Sequence, residues 1–74
     1  MEQLYNILEA VRPDVDFRNT EGLVSDSYID SFDIVTIISY IENAYDIEIP
    51  VEAMVPENFD SAKSIMKMIE EAKG

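Results

Sequence analysis

From Ile34 to Tyr45 the apolar residues return every three or four positions, and no other feature limits the fold of this chain so tightly. At about 100° per residue, Ile34, Ile38, Ile41 and Tyr45 fall on one narrow stripe with Val35 at its edge, the pattern of an amphipathic helix. Phe32, Thr36, Ser39, Tyr40 and Asn43 take the opposite face. The start is marked as well. Asp30 and Ser31 are both good N-cap residues, and Asp33 follows in the first turn, where negative charge suits the helix dipole. The spacing predicts a helix from this cap to about Tyr45, ended by Asp46.

The same period appears twice more. Leu4, Tyr5, Ile7, Leu8 and Val11 predict a helix over about residues 2–12, stopped by Pro13 because the residue before a proline avoids helical geometry. Ala62, Ile65, Met66 and Ile69 form a third stripe, capped by Asp60 or Ser61, with Phe59 placed to pack back as a staple. Residues 13–30 hold no period and read as a long loop, of a kind that tends to be functional or mobile. Its apolar anchors are Phe17, Leu23 and Ile29, with a short turn at Leu23-Val24. After Asp46, Ile47 and Ile49 alternate with Glu48 into Pro50. Pro50 can open a single helical turn with Val51 and Met54 turned inward, closed by Pro56. The expected fold is all-α: a small four-helix bundle with three main helices, one short helix and a long loop between helices one and two. It forms one domain over residues 1–74.

Composition narrows the chemistry. The chain has no Cys and no His, which removes disulfides, thiolate metal sites and the commonest general base. Any chemistry must come from a cofactor or a partner. Ser31 as a nucleophile would need a nearby base and an oxyanion hole; its charged neighbours are acids, so no catalytic residue is assigned and no enzyme is expected. Sixteen acids against five bases give a net charge of −11, which repels nucleic acid and anionic membranes and speeds association with basic partner surfaces. Hydrophobic residues make up 47% of the chain and are periodic, which argues against disorder. Asp14-x-Asp16 has the opening of a calcium loop, but Asn19 and Ser25 stand where that loop needs Gly and Glu, so no metal site is assigned. Met1-Glu2-Gln3 shows no secretory pattern and no stretch is long enough to span a membrane; a cytoplasmic monomer is expected.

One stretch carries more than a helix start. Asp30-Ser31-Phe32 resembles the Asp-Ser-Leu-like triplet of acyl carrier proteins. The resemblance extends through Ile38, Ile41 and Glu42 to Tyr45-Asp46-Ile47-Glu48-Ile49-Pro50, and on to Pro56-Glu57-Asn58-Phe59-Asp60-Ser61. It covers nearly the whole chain, the first helix in pattern only. Two departures stand out: Phe32 replaces the usual Leu, and Ser27-Tyr28 stands where the family often has Leu-Gly. The resemblance implies that a phosphopantetheinyl transferase attaches 4′-phosphopantetheine from coenzyme A to the Ser31 hydroxyl. The arm would hold acyl or aminoacyl groups as thioesters in fatty acid, polyketide or related biosynthesis.

Each candidate has a plainer reading. On pattern alone Ser31 is a helix cap; the resemblance reverses that preference. Phe32 is either core, under the preceding loop, or an exposed apolar anchor beside the modified serine. The acids Asp26, Asp30, Asp33, Glu42, Asp46 and Glu48 form a solvated face or meet Lys and Arg of partners. Loading and processing enzymes with basic surfaces are expected to dock on Asp30, Phe32, Asp33, Ile37 and Tyr40; the resemblance implies the part of the acids. The alternative is a small acidic protein–protein interaction module that works through the second helix without a prosthetic group.

Overall fold

The computed structural model describes residues 2–73. Three α-helices appear: α1, Glu2–Val11; α2, Ser31–Tyr45; and α3, Ala62–Lys73. Two 3₁₀ turns, Val51–Ala53 and Pro56–Phe59, join α2 to α3, and no strand occurs among the described residues. The expected short fourth helix is therefore replaced by these two turns. Pro56 does not close the first turn but opens the second, where its missing N–H costs nothing.

The core is one cluster drawn from all three α-helices, the second 3₁₀ turn and the connecting segments. Leu4 and Leu8 of α1, Ile37, Ile38 and Ile41 of α2, and Ala62, Ile65, Met68 and Ile69 of α3 are buried together with Phe59 and Ile49. On α2 the stripe is centred nearer Ile41 than Ile34: Ile37 is fully buried and Ile34 only half-buried, while Val35 is 67% exposed. On α3 Met68, not Met66, completes the buried face; Met66 is half-buried. Val51 and Met54, expected inward, lie outward, Val51 being 79% exposed. Residues three apart eclipse one another on a 3₁₀ turn, so the two share a face, and it is Ala53 that packs on the core.

Residues 12–30 are wrapped onto the helices by four apolar anchors, Val15, Phe17, Leu23 and Ile29, all buried. The radius of gyration, 11.0 Å, matches the roughly 11 Å of a compact chain this long, so the loop adds no excursion. Its first half is tied to α1: the Arg18 guanidinium donates to both Glu2 carboxylate oxygens, at 2.6 and 2.8 Å, and lies 4.3 Å above the Tyr5 ring. That pairing holds the Glu2 carboxyl below its ordinary range. At the far end of α2, Asp46 takes a left-handed conformation (φ 55°) that ends the helix. The Glu42 carboxylate then accepts the Ile49 N–H at 2.9 Å, which turns the outgoing chain back so that Ile49 is buried.

Candidate functional site at the start of the second helix

Two aspartates build the start of α2. Asp30 is extended (φ −118°, ψ −176°) and its carboxylate accepts the Asp33 N–H at 2.9 Å. The Asp33 carboxylate in turn accepts the Asp30 N–H at 3.2 Å, closing a reciprocal capping box in which Asp fills the place usually taken by Glu or Gln. The cap is thus carried by Asp30, and the Ser31 hydroxyl is not required for it. Ser31 is the first helical residue and is exposed. The Ser31 and Phe32 N–H groups belong to the first turn, whose donors have no intrahelical acceptor, and they bring partial positive charge to this end.

Arg12 fastens the box to α1. Its Nη1 donates to the Asp33 carboxylate at 2.7 Å, while Nε and Nη2 each reach the Asp14 carboxylate at 3.1 Å. The Arg12 guanidinium holds the Asp14 carboxyl below its ordinary range, and Asp14, then Asp33, raise the Arg12 value in return. Asp33 is mostly covered, so its charge is spent on Arg12 and on the Asp30 backbone. Nothing local in the sequence links Arg12 to Asp33, 21 residues away.

Phe32 lies outward, 81% exposed. The reason is geometric: Ile41, at the centre of the buried stripe, lies nine residues on, and nine steps of about 100° end on the opposite side of the helix. The loop before α2 does not cover it. A Thr36 hydroxyl bond to the Phe32 carbonyl, at 3.1 Å, braces this first turn. Val35 and Tyr40 continue the apolar exposure and, with Thr36 and Ser39, line a shallow depression on the same helix.

The other expected site residues are placed as follows. Asp30 and Tyr40 are exposed, Tyr40 by 49%. Ile37, expected among the docking residues, is instead part of the core and offers no surface, because its position 60° from Ile34 lies on the buried side of the stripe, beside Ile38 and Ile41. Asp33 and Glu42 are half-buried and engaged, whereas Asp26, Asp46 and Glu48 remain exposed. No three carboxylates converge to hold a metal ion among the described residues. No helix there is long and apolar enough to cross a membrane.

No protein-family model and no solved structure matches the chain. A curated relative does. The chain is 30% identical over 74 residues to the D-alanyl carrier protein of Lactococcus lactis subsp. lactis (strain IL1403), an alignment that covers 97% of this chain and 94% of that protein. With end-to-end similarity of that extent, on an all-helical frame, this chain belongs to the phosphopantetheine-binding carrier protein family.

Proposed function

We propose that this chain carries a 4′-phosphopantetheine arm on the Ser31 Oγ and delivers an aminoacyl or acyl group, held on that arm, between partner enzymes. Carrier proteins are not enzymes, and a chain without His or Cys has little with which to be one. The observation that carries the reading is the exposed Ser31 at the head of α2, with the capping work done by Asp30. The residues present suit the group. An exposed hydroxyl is free to be modified, and a phosphodiester on it would sit among the open N–H groups of a helix start, which favour anions. Arg12, shared between Asp33 and Asp14, offsets part of the negative charge such an anion would meet.

The attachment balances simply. The Ser31 oxygen forms a bond to the phosphorus that bears pantetheine in coenzyme A, the bond from that phosphorus to the adenosine bisphosphate portion breaks, and the hydroxyl proton passes to a base on the transferase. Once bound, the arm supplies a terminal thiol that holds the cargo as an activated thioester. The chain itself contributes tethering, which raises the local concentration of cargo at a docked partner. Partners are the transferase and the enzymes that load and unload cargo in the cytoplasm, where coenzyme A is at hand. They would dock on Asp30, Phe32 and Tyr40, with Val35 between them, and meet a monomer. Ile37 is not in this set, and Asp33 acts through the cap and not by direct contact.

The relative's name points to D-alanine as the first cargo to test. Fatty-acyl and polyketide cargoes are the competing outcomes. Intact mass after incubation with coenzyme A and a phosphopantetheinyl transferase should show one added phosphopantetheine. Further incubation with ATP, D-alanine and a D-alanine-activating ligase should then add one alanyl group, removable by hydroxylamine. No gain from several transferases would favour the unmodified interaction module, for which the exposed Phe32–Val35 face is the supporting feature.

A further inference from the structure

The chain just before α3 reaches across the molecule to the loop that delivers Ser31. Oδ1 of Asp60 accepts the Val24 N–H at 3.0 Å and the Ser25 N–H at 2.9 Å. The Ser25 hydroxyl lies 3.0 Å from Oδ1 and 3.1 Å from Oδ2 of the same carboxylate. The Asp60 carbonyl accepts the Leu23 N–H at 2.8 Å. One residue therefore receives the donors of three consecutive loop residues. The Ser25 N–H first, then the Ser25 hydroxyl and the Val24 N–H, hold the Asp60 carboxyl below its ordinary range, against the opposing effect of burial.

The loop closes on itself at the same place. The Ile29 N–H bonds to the Leu23 carbonyl at 2.9 Å, Asp26 N–H to the Gly22 carbonyl at 2.7 Å and Ser27 N–H to the Val24 carbonyl at 3.1 Å. Gly22 (φ 67°) and Ser27 (φ 64°) both take the left-handed conformation. For a serine that conformation is unfavourable and must be held from outside. Leu23 and Ile29 are buried, and Ile29 leads directly into Asp30 and Ser31. The capping box of α2 does not involve Asp60, so the loop and the helix start are secured separately.

We propose that Asp60 is a positioning residue for the modification of Ser31, pegging residues 23–29 in the closed arrangement that a transferase meets in front of α2. The proposal rests on Ser31 as the attachment site. Without the peg, α2 and its cap stay formed while the loop samples open conformations. Apparent affinity for the transferase then falls with the fraction of chains still closed: if about one chain in ten is closed, KM rises about tenfold. The turnover number is unchanged, because each docked chain is closed. A residue that only stabilised the fold would lower the melting temperature and leave the KM of folded chains alone.

The test uses the full chain with Asp60→Ala and Asp60→Asn, measuring initial rates of phosphopantetheine transfer from coenzyme A against carrier concentration, together with amide hydrogen exchange. Asp60→Ala should raise KM about tenfold at unchanged kcat and speed exchange at Val24, Ser25 and Ile29, with the α2 amides unaffected. Asp60→Asn keeps an acceptor oxygen for the two loop amides and should recover most of the KM. Should the Ala variant not fold, Asp60→Ser, too short to bridge to the loop and outside the α3 cap that Ser61 forms with the Ser64 N–H, takes its place with the same expectation. Faster loop exchange with unchanged KM overturns the proposal, as does a loss that the Asn variant shares in full. A wild-type chain that takes no arm on Ser31 defeats the attachment reading and this proposal with it; a wild type modified on Ser31 beside an Ala variant of normal KM defeats this proposal alone.

Discussion

Asp30 supports the head of α2 with both its side chain and its backbone, and no neighbour duplicates it. Replacing it by Ala leaves the Asp33 N–H without its acceptor, so Asp30→Ala should cost about 0.5–2 kcal/mol in denaturant unfolding. It should also slow transfer of the arm, since the acid stands directly before Ser31, the proposed attachment site. Ile37 and Phe32 make a sharper pair. They sit on one helix, five residues apart, with opposite fates: Ile37 is fully buried and Phe32 is 81% exposed. Ile37→Ala should cost about 2–5 kcal/mol through the cavity it leaves. Phe32→Ala should stay within about 0.5 kcal/mol of wild type, as surface changes usually do, and weaken partner binding instead. Equal stability losses in the two variants would contradict the placement of both.

At the scale of elements, the three main helices are visible in the sequence because their apolar residues repeat at helical spacing, and the cap of α2 is visible because Asp-Ser precedes that repeat. The loop anchors Phe17, Leu23 and Ile29 could be read as well, since large apolar residues in a polar stretch have few other fates. What could not be read is pairing at long range. Arg12 with Asp33, and Asp60 with Val24 and Ser25, join residues 21 to 36 positions apart, and no local pattern announces them. The centre of a stripe is also poorly fixed by period alone: Val35 reads as its edge and Ile37 falls outside it, whereas Ile37 is buried and Val35 exposed. Nor did spacing tell which way the Val51–Ala53 turn would face. The loop carries its own test. Gly22 adopts φ 67°, so Gly22→Ala should destabilise the chain by roughly 1–2 kcal/mol, seen as a lower denaturation midpoint at unchanged slope.

For the whole molecule, charge sets the conditions of stability. A net charge of −11 on 74 residues means that folding gathers repelling acids, and the unfolded chain relieves that repulsion by spreading. Raising sodium chloride toward about 0.1 M, where the Debye length is about 10 Å, should therefore raise the melting temperature. Acid works the other way on particular groups. Glu2, Asp14 and Asp60 have carboxyls held below their ordinary values by Arg18, Arg12 and the Ser25 N–H respectively. A carboxyl lowered in the fold contributes stability that is present above its unfolded value, about 4, and is lost as pH falls through the lowered folded value. Melting curves in acid should show stability declining below about pH 4 and not between pH 7 and 5.

The attachment of the arm to Ser31 is the claim on which the reading of this chain as a working carrier stands. The direct measurement is peptide mapping by mass spectrometry after incubation with coenzyme A and a phosphopantetheinyl transferase, on wild type and on Ser31→Ala. Because Asp30 carries the cap, the Ala variant should fold with its helices intact. The predicted result is a single phosphopantetheine on the peptide containing Ser31 in wild type, and none in a folded Ser31→Ala chain. An arm on Ser25, Ser27 or Ser39, or an Ala variant modified as readily as wild type, would contradict it.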